Sequence, residues 1–144
     1  MSAPILAPAA VLVLWSVVML YWMAGTRIPA MGKSGADLKS AKPGGRGVDL
    51  EGVLPDTVNW KGHNYAHLME QPTLFYATIA ILALAGAGDS VNVQLAWGYT
   101  GLRIAHSLWQ SLVNTIPVRF ALFIASSLCL TVLAINAVRV TLGV

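Results

Sequence analysis

The sequence predicts an all-α membrane protein, a four-transmembrane-helix antiparallel bundle, and three observations carry that prediction. Of its 144 residues 56% are hydrophobic and only 10% are charged, with a mean hydropathy of +0.67, which is far too apolar for a soluble domain of this length. Four apolar runs, at 5–25, 60–85, 91–113 and 117–138, reach the roughly 20 residues that a span needs. The last two turns are short, so consecutive helices are expected to pack as antiparallel neighbours, and residues 1–144 read as a single transmembrane domain.

No Lys or Arg precedes the first run, which is also long for the apolar part of a signal peptide, so it is expected to be a permanent helix. The connection at 27–58 is rich in Gly, Lys and Ser; at this length it is expected to be either functional or disordered. Arg27, Lys33, Lys39, Lys42, Arg46 and Lys61 lie in or beside it and outweigh Asp37, Asp49, Glu51 and Asp56 by two charges. The positive-inside rule therefore places this loop in the cytoplasm, with Arg139 weakly opposed. So small an excess describes a solvated loop beside anionic lipid headgroups, and no nucleic-acid partner is expected.

In the second run Pro72 removes the hydrogen bond that would have reached the Leu68 carbonyl, which predicts a bend just after Glu70. The glycines of Gly86-Ala87-Gly88-Asp89-Ser90 are expected to end this helix, with Ser90 capping the third. Pro117 suits the first turn of the fourth. Gly98, Gly101 and Ala105 form a strip of small residues suited to close helix approach. Trp22, Trp60, Trp97 and Trp109 sit towards the span ends as an aromatic belt. The single Cys129 has no internal disulfide partner and reads as a small apolar residue.

Two polar stripes interrupt this apolar pattern. Asn59, His63, His67 and Glu70 fall within an ~80° arc of the second helix, and Tyr99, Arg103, His106, Gln110 and Asn114 within a similar ~80° arc of the third. Ionisable groups in hydrocarbon cost roughly 2.5–3.5 kcal/mol each on insertion scales, so they mark sites or pathways. Matching depth at 1.5 Å per residue sets Glu70 against Arg103, His67 against His106 and His63 against Gln110, with Arg119 at the cytoplasmic mouth. A Glu70–Arg103 ion pair that only fixes helix register would leave the histidines and Gln110 unexplained. Three functional readings stand beside it: a metal held by His63, His67 and Glu70, a haem between His67 and His106, and an anionic, amine-bearing ligand gripped by Arg103, Arg119 and Glu70.

The run from His63 to Tyr76 (His-Asn-Tyr-Ala-His-Leu-Met-Glu-Gln-Pro-Thr-Leu-Phe-Tyr), followed by Arg103 and Arg119, resembles the MAPEG family, the membrane-associated proteins of eicosanoid and glutathione metabolism. The resemblance extends over nearly the whole chain and is nearest to bacterial-type members similar to microsomal glutathione transferases. It implies a homotrimer in a bacterial inner membrane. Each site would lie between subunits, binding glutathione as cosubstrate and transferring it to lipophilic electrophiles or using it to reduce lipid hydroperoxides. By the same resemblance Glu70 holds the glutathione amine, Arg119 stabilises the thiolate as the catalytic residue, and Arg27, His63, His67, Arg103, His106 and Gln110 complete the glutathione site. No metal is expected. The chain departs from the family pattern with His67 where Asn is usual, His63 where Arg is common, and His106 and Gln110 near frequent tyrosine positions. These departures motivate the alternative of a non-catalytic membrane lipid- or ligand-binding protein of the same fold. A thiol of pKa near 8.5 needs a nearby cation to become a good nucleophile at pH 7, which an arginine supplies.

Overall fold

A computed structural model describes residues 4–36, 39 and 41–144; Asp37, one of the acidic residues of the basic connection, lies outside the described residues. Among them the structure is all-helical, with α1 at Leu6–Ser34, α2 at Asp56–Leu68, α3 at Gln71–Leu84, α4 at Ser90–Leu112 and α5 at Ile116–Leu142. A short 3₁₀ turn, Gly47–Leu50, sits in the connection between α1 and α2. Among the described residues only α1 and α5 are both long and apolar enough to cross a membrane by themselves.

Helix α1 does not stop at residue 25. It continues through Pro29 to Ser34, where Gly35 closes it at φ +73°. Hydropathy marks where the apolar stretch ends, and the backbone keeps its helical hydrogen bonds past that point. Arg27 therefore stands on a helix rather than at the start of a loop.

The run at 60–85 is two helices. Pro72 has no N–H, and the residue before a proline is disfavoured in helical geometry. The ladder fails just upstream: Met69 N–H donates to Ala66 O at 2.9 Å in a tightened last turn, and Glu70 takes φ −89°, ψ −99°, outside the helical region. Helix α3 then starts with proline in its first turn. The predicted bend is thus a complete interruption at Met69 and Glu70.

The core is built around α4. Phe75 of α3 stacks on Tyr99 of α4 with ring centroids 4.2 Å apart, and both are fully buried together with Leu12, Ile79, Leu82, Ala96 and Leu133. Helix α1 is tied to α4 by Trp15 Nε1 donating to Ser107 Oγ at 3.0 Å and by Thr100 Oγ1 donating to Pro8 O at 3.1 Å. Gly98 faces α5, where a Cβ would meet Cys129 Sγ at an ordinary contact distance of 3.6 Å, and Gly101 has nothing within 4 Å, so neither glycine of the small-residue strip is required for helix approach within the chain. The cap of α4 is Asp89, not Ser90: its carboxylate accepts from Asn92 N at 2.9 Å and Asn92 Nδ2 at 2.8 Å. Asn136 of α5 in turn donates to Asn92 Oδ1 at 2.8 Å, so the cap also joins two helices.

Large apolar side chains remain exposed along α1 and α5, among them Leu14, Tyr21, Phe120 and Leu128. A helix that leaves such a face outward is suited to lipid or to another subunit.

Candidate functional site

The polar stripe of α4 is buried as its spacing predicts: Tyr99, Arg103, His106 and Gln110 all face inward, and Arg103 has no exposed surface. What it meets is set by the break between α2 and α3. In a continuous helix the His67 carbonyl would accept from the N–H of Gln71. The interruption replaces that bond with a long one from Glu70 N–H at 3.4 Å, which leaves the carbonyl room for a second donor, and Arg103 Nη2 donates to it at 3.1 Å. The anticipated Glu70–Arg103 ion pair does not form. Glu70 is exposed, and among the described residues its carboxylate joins no salt bridge. Its position just before the first turn of α3 places the negative charge at the favourable end of the helix dipole.

The depth match of His67 with His106 holds: their rings lie 4.9 Å apart, and Phe123 of α5 adds a third ring 5.7 Å from His67. These side chains, with Ile116, Arg119 and Phe120, line a cleft of about 180 Å³. Arg119 reaches it from the first turn of α5, where Asn114 Oδ1 accepts a hydrogen bond from the guanidinium. Asn114 itself takes a left-handed conformation, φ +61°, that ends α4 and turns its side chain back towards Arg119. Gln110 lies one turn beyond His106 on the same buried face.

Two residues expected opposite this stripe are elsewhere. His63 is exposed and its Nε2 meets Glu51 Oε1 at 2.7 Å, so it holds the α1–α2 connection rather than facing Gln110. Asn59 likewise serves the connection, donating from Nδ2 to Leu50 O and Leu54 O at 3.3 Å each. With His63, His67 and Glu70 apart, the three-ligand metal arrangement is not assembled; among the described residues no three His, Cys, Asp or Glu side chains converge. Arg27 lies against Gly62 of α2. Gly62 precedes His67 by five residues, which is about 140° around the helix, so Arg27 and the cleft occupy different sides of α2.

Gln71 was not anticipated. Its Nε2 donates to Ser127 Oγ at 2.8 Å and its Oε1 accepts from Tyr99 OH at 3.3 Å, so the residue that restarts the helix also fastens α3 to α4 and α5. Phe123, which looked like one more apolar residue of a span, floors the cleft. Its only signal in the sequence is a spacing of four residues from Arg119, which puts both on one face of α5.

The MAPEG family model matches residues 5–139, nearly the full chain. The chain belongs to the MAPEG family. MAPEG proteins are membrane proteins, and the family includes glutathione transferases and related proteins. No curated protein and no solved structure gives a match to this MAPEG chain. The cleft at His67, His106 and Arg119 lies wholly inside the matched region, as do Arg27 and Glu70.

Proposed function

We propose that this MAPEG protein is a multi-pass integral membrane glutathione transferase or peroxidase. It acts on lipophilic electrophiles or lipid hydroperoxides as a homotrimer, in a bacterial inner membrane with the 27–58 connection cytoplasmic. The observation that carries the reading is Arg119 lining one cleft with His67 and His106 over an aromatic floor of Phe120 and Phe123. A guanidinium beside low-dielectric walls is a strong stabiliser of a thiolate. Neutral imidazoles donate and accept hydrogen bonds to a peptide. Exposed apolar side chains on α5, Phe120 among them, give a lipophilic second substrate a route from the bilayer.

In this reading Arg119 is the catalytic residue and holds the glutathione sulfur as thiolate. The sulfur attacks an electrophilic carbon and the leaving group departs with the bonding pair. With a hydroperoxide it attacks the terminal oxygen, the O–O bond breaks to give alcohol and sulfenic acid, and a second glutathione yields disulfide and water. His67, His106 and Gln110 contact the peptide, and Glu70, exposed beside the cleft helix, takes the amine. Arg103 supports the site from beneath through the His67 carbonyl. The placement of Arg27 across α2 from the cleft supports a site between subunits, each drawing Arg27 from one protomer and Arg119 from its neighbour.

The test is titration of the detergent-solubilised protein with glutathione while following the ultraviolet thiolate band. A rising band supports the enzyme. Binding without the band favours the non-catalytic binding protein, and no binding overturns both glutathione readings.

A further inference from the structure

Gly62 of α2 and Gly47 of the 3₁₀ turn face the same side chain. A Cβ built on Gly62 would lie 2.2 Å from Arg27 Nη2 and 2.9 Å from its Cζ; one built on Gly47 would lie 2.9 Å from Nη1. Either contact is closer than atoms tolerate, so the flat guanidinium of Arg27 occupies a slot that exists because both walls lack a side chain. Neither glycine has a left-handed backbone, so turn geometry does not account for them. Within the slot Arg27 Nε is buried without a hydrogen-bond partner, and among the described residues no carboxylate lies within salt-bridge distance of the guanidinium. Shape, rather than an ion pair, fixes this cation.

The wall that carries Gly47 is itself fastened to α2. Asn59 Nδ2 bonds Leu50 O and Leu54 O, and His63 Nε2 meets Glu51 Oε1, so the segment from Gly47 to Leu54 lies as a strap over α2 with Arg27 of α1 inserted beneath it. A guanidinium kept planar and restrained, with its own acid absent, is prepared for a bidentate carboxylate.

We propose that Gly62 and Gly47 are positioning residues, which lock the Arg27 guanidinium under the strap and thereby hold it for the part in glutathione binding already assigned to it above. The second half rests on the function proposed above; the first half does not.

Gly62→Ala is the informative variant. The atoms a methyl would strike are the far end of a flexible side chain, so the guanidinium moves and the helix stays. Two readouts separate the halves. Trypsin cleavage of the Arg46–Gly47 bond reports the strap: Gly62→Ala and Arg27→Ala each raise the rate several-fold, and the double variant is no faster than Arg27→Ala, because without the guanidinium the methyl displaces nothing. Gly32→Ala, with nothing within 4 Å of its Cβ, is the control. Unchanged rates, or effects that multiply in the double variant, overturn the slot. Glutathione titration reports the ligand: Gly62→Ala weakens binding about tenfold or more, as loss of one charge-assisted hydrogen bond would, and adds nothing to Arg27→Ala. A strap that loosens with unchanged glutathione affinity overturns the positioning of Arg27 for this ligand. A wild-type protein that binds no glutathione overturns the function reading, and the trypsin pattern then decides the slot alone.

Discussion

Arg119→Ala should restore an almost ordinary thiol to bound glutathione while leaving most of the binding intact. Free thiols near pKa 8.5 are about 3% ionised at pH 7, and lowering the pKa by about two units makes roughly three-quarters ionised, a shift that takes ~2.7 kcal/mol of preferential thiolate stabilisation. Two unit charges about 4 Å apart interact by about 4 kcal/mol at an effective dielectric of 20. Arg119 is half-buried rather than enclosed, so only part of that is available, and about two-thirds of it is sufficient. The geometry supports this use, since Asn114 holds the guanidinium at the cleft and the remaining walls are Ile116, Phe120, Phe123 and two imidazoles. In Arg119→Ala the thiolate fraction at pH 7 should fall roughly 25-fold, whereas the dissociation constant, set by several contacts to the peptide, should rise less than tenfold. The assay is a pH titration of the thiolate absorbance at saturating glutathione, with affinity measured by calorimetry. Equal proportional loss of both quantities, or an unshifted titration in the variant, would refute the division of labour.

Glu70→Gln should leave stability within about 0.5 kcal/mol of wild type, because the carboxylate is exposed and Arg103 is partnered by a carbonyl instead; glutathione affinity should fall, and a drop in melting temperature of more than a few degrees would show that the carboxylate has a buried partner after all. Asp89→Ala removes two hydrogen bonds at the start of α4 and should cost about 0.5–2 kcal/mol, measured by thermal unfolding in detergent, with a null effect arguing against the cap. His67→Asn should change glutathione affinity in a protein that elemental analysis finds free of stoichiometric metal; an ion bound in wild type and lost in the variant would overturn the peptide-contact role.

The elements with local determinants were legible. Asp89 next to Ser90 fixed the start of α4 to within one residue of the cap, and Pro117 the start of α5. The α4 stripe from Tyr99 to Gln110 is buried because a continuous helix keeps its period, and the same regularity brought His106 level with His67. The errors begin where continuity fails. Carrying the α2 period past Met69 assumed a helical Glu70, and a single non-helical residue redirects every side chain after it. His63 and Asn59 keep the helical period, but their partners come from the connection, whose path no local rule specifies. The ends of α1 show a second kind of limit: apolarity stops near residue 25 while the helix runs to Ser34, because the sequence pattern reports the solvent and the backbone answers to its own hydrogen bonds. Gly47 and Gly62 left no trace in the sequence, since a glycine kept small for a distant guanidinium looks like any other.

The break at Glu70 connects these observations into one argument about the site. A buried arginine on α4 needs acceptors, and a carboxylate brought inside to meet it would itself have to be desolvated, at a cost that its Coulomb gain often only balances. A carbonyl left with only a long backbone bond by an interrupted helix serves without a second buried charge. Proline at position 72 disrupts the helix there, and Arg103 then ties the end of α2 to α4 at the residue whose ring contacts His106 and Phe123. Glu70, relieved of pairing, stays at the surface with its charge uncommitted. Two of the nitrogens of Arg103, Nε and Nη1, are buried with no protein acceptor among the described residues, and a buried donor left without any acceptor costs about 1–3 kcal/mol. An apolar residue of similar size would avoid that cost but would leave the end of α2 without its tie to α4, so the contribution of Arg103 here is the direction it gives His67.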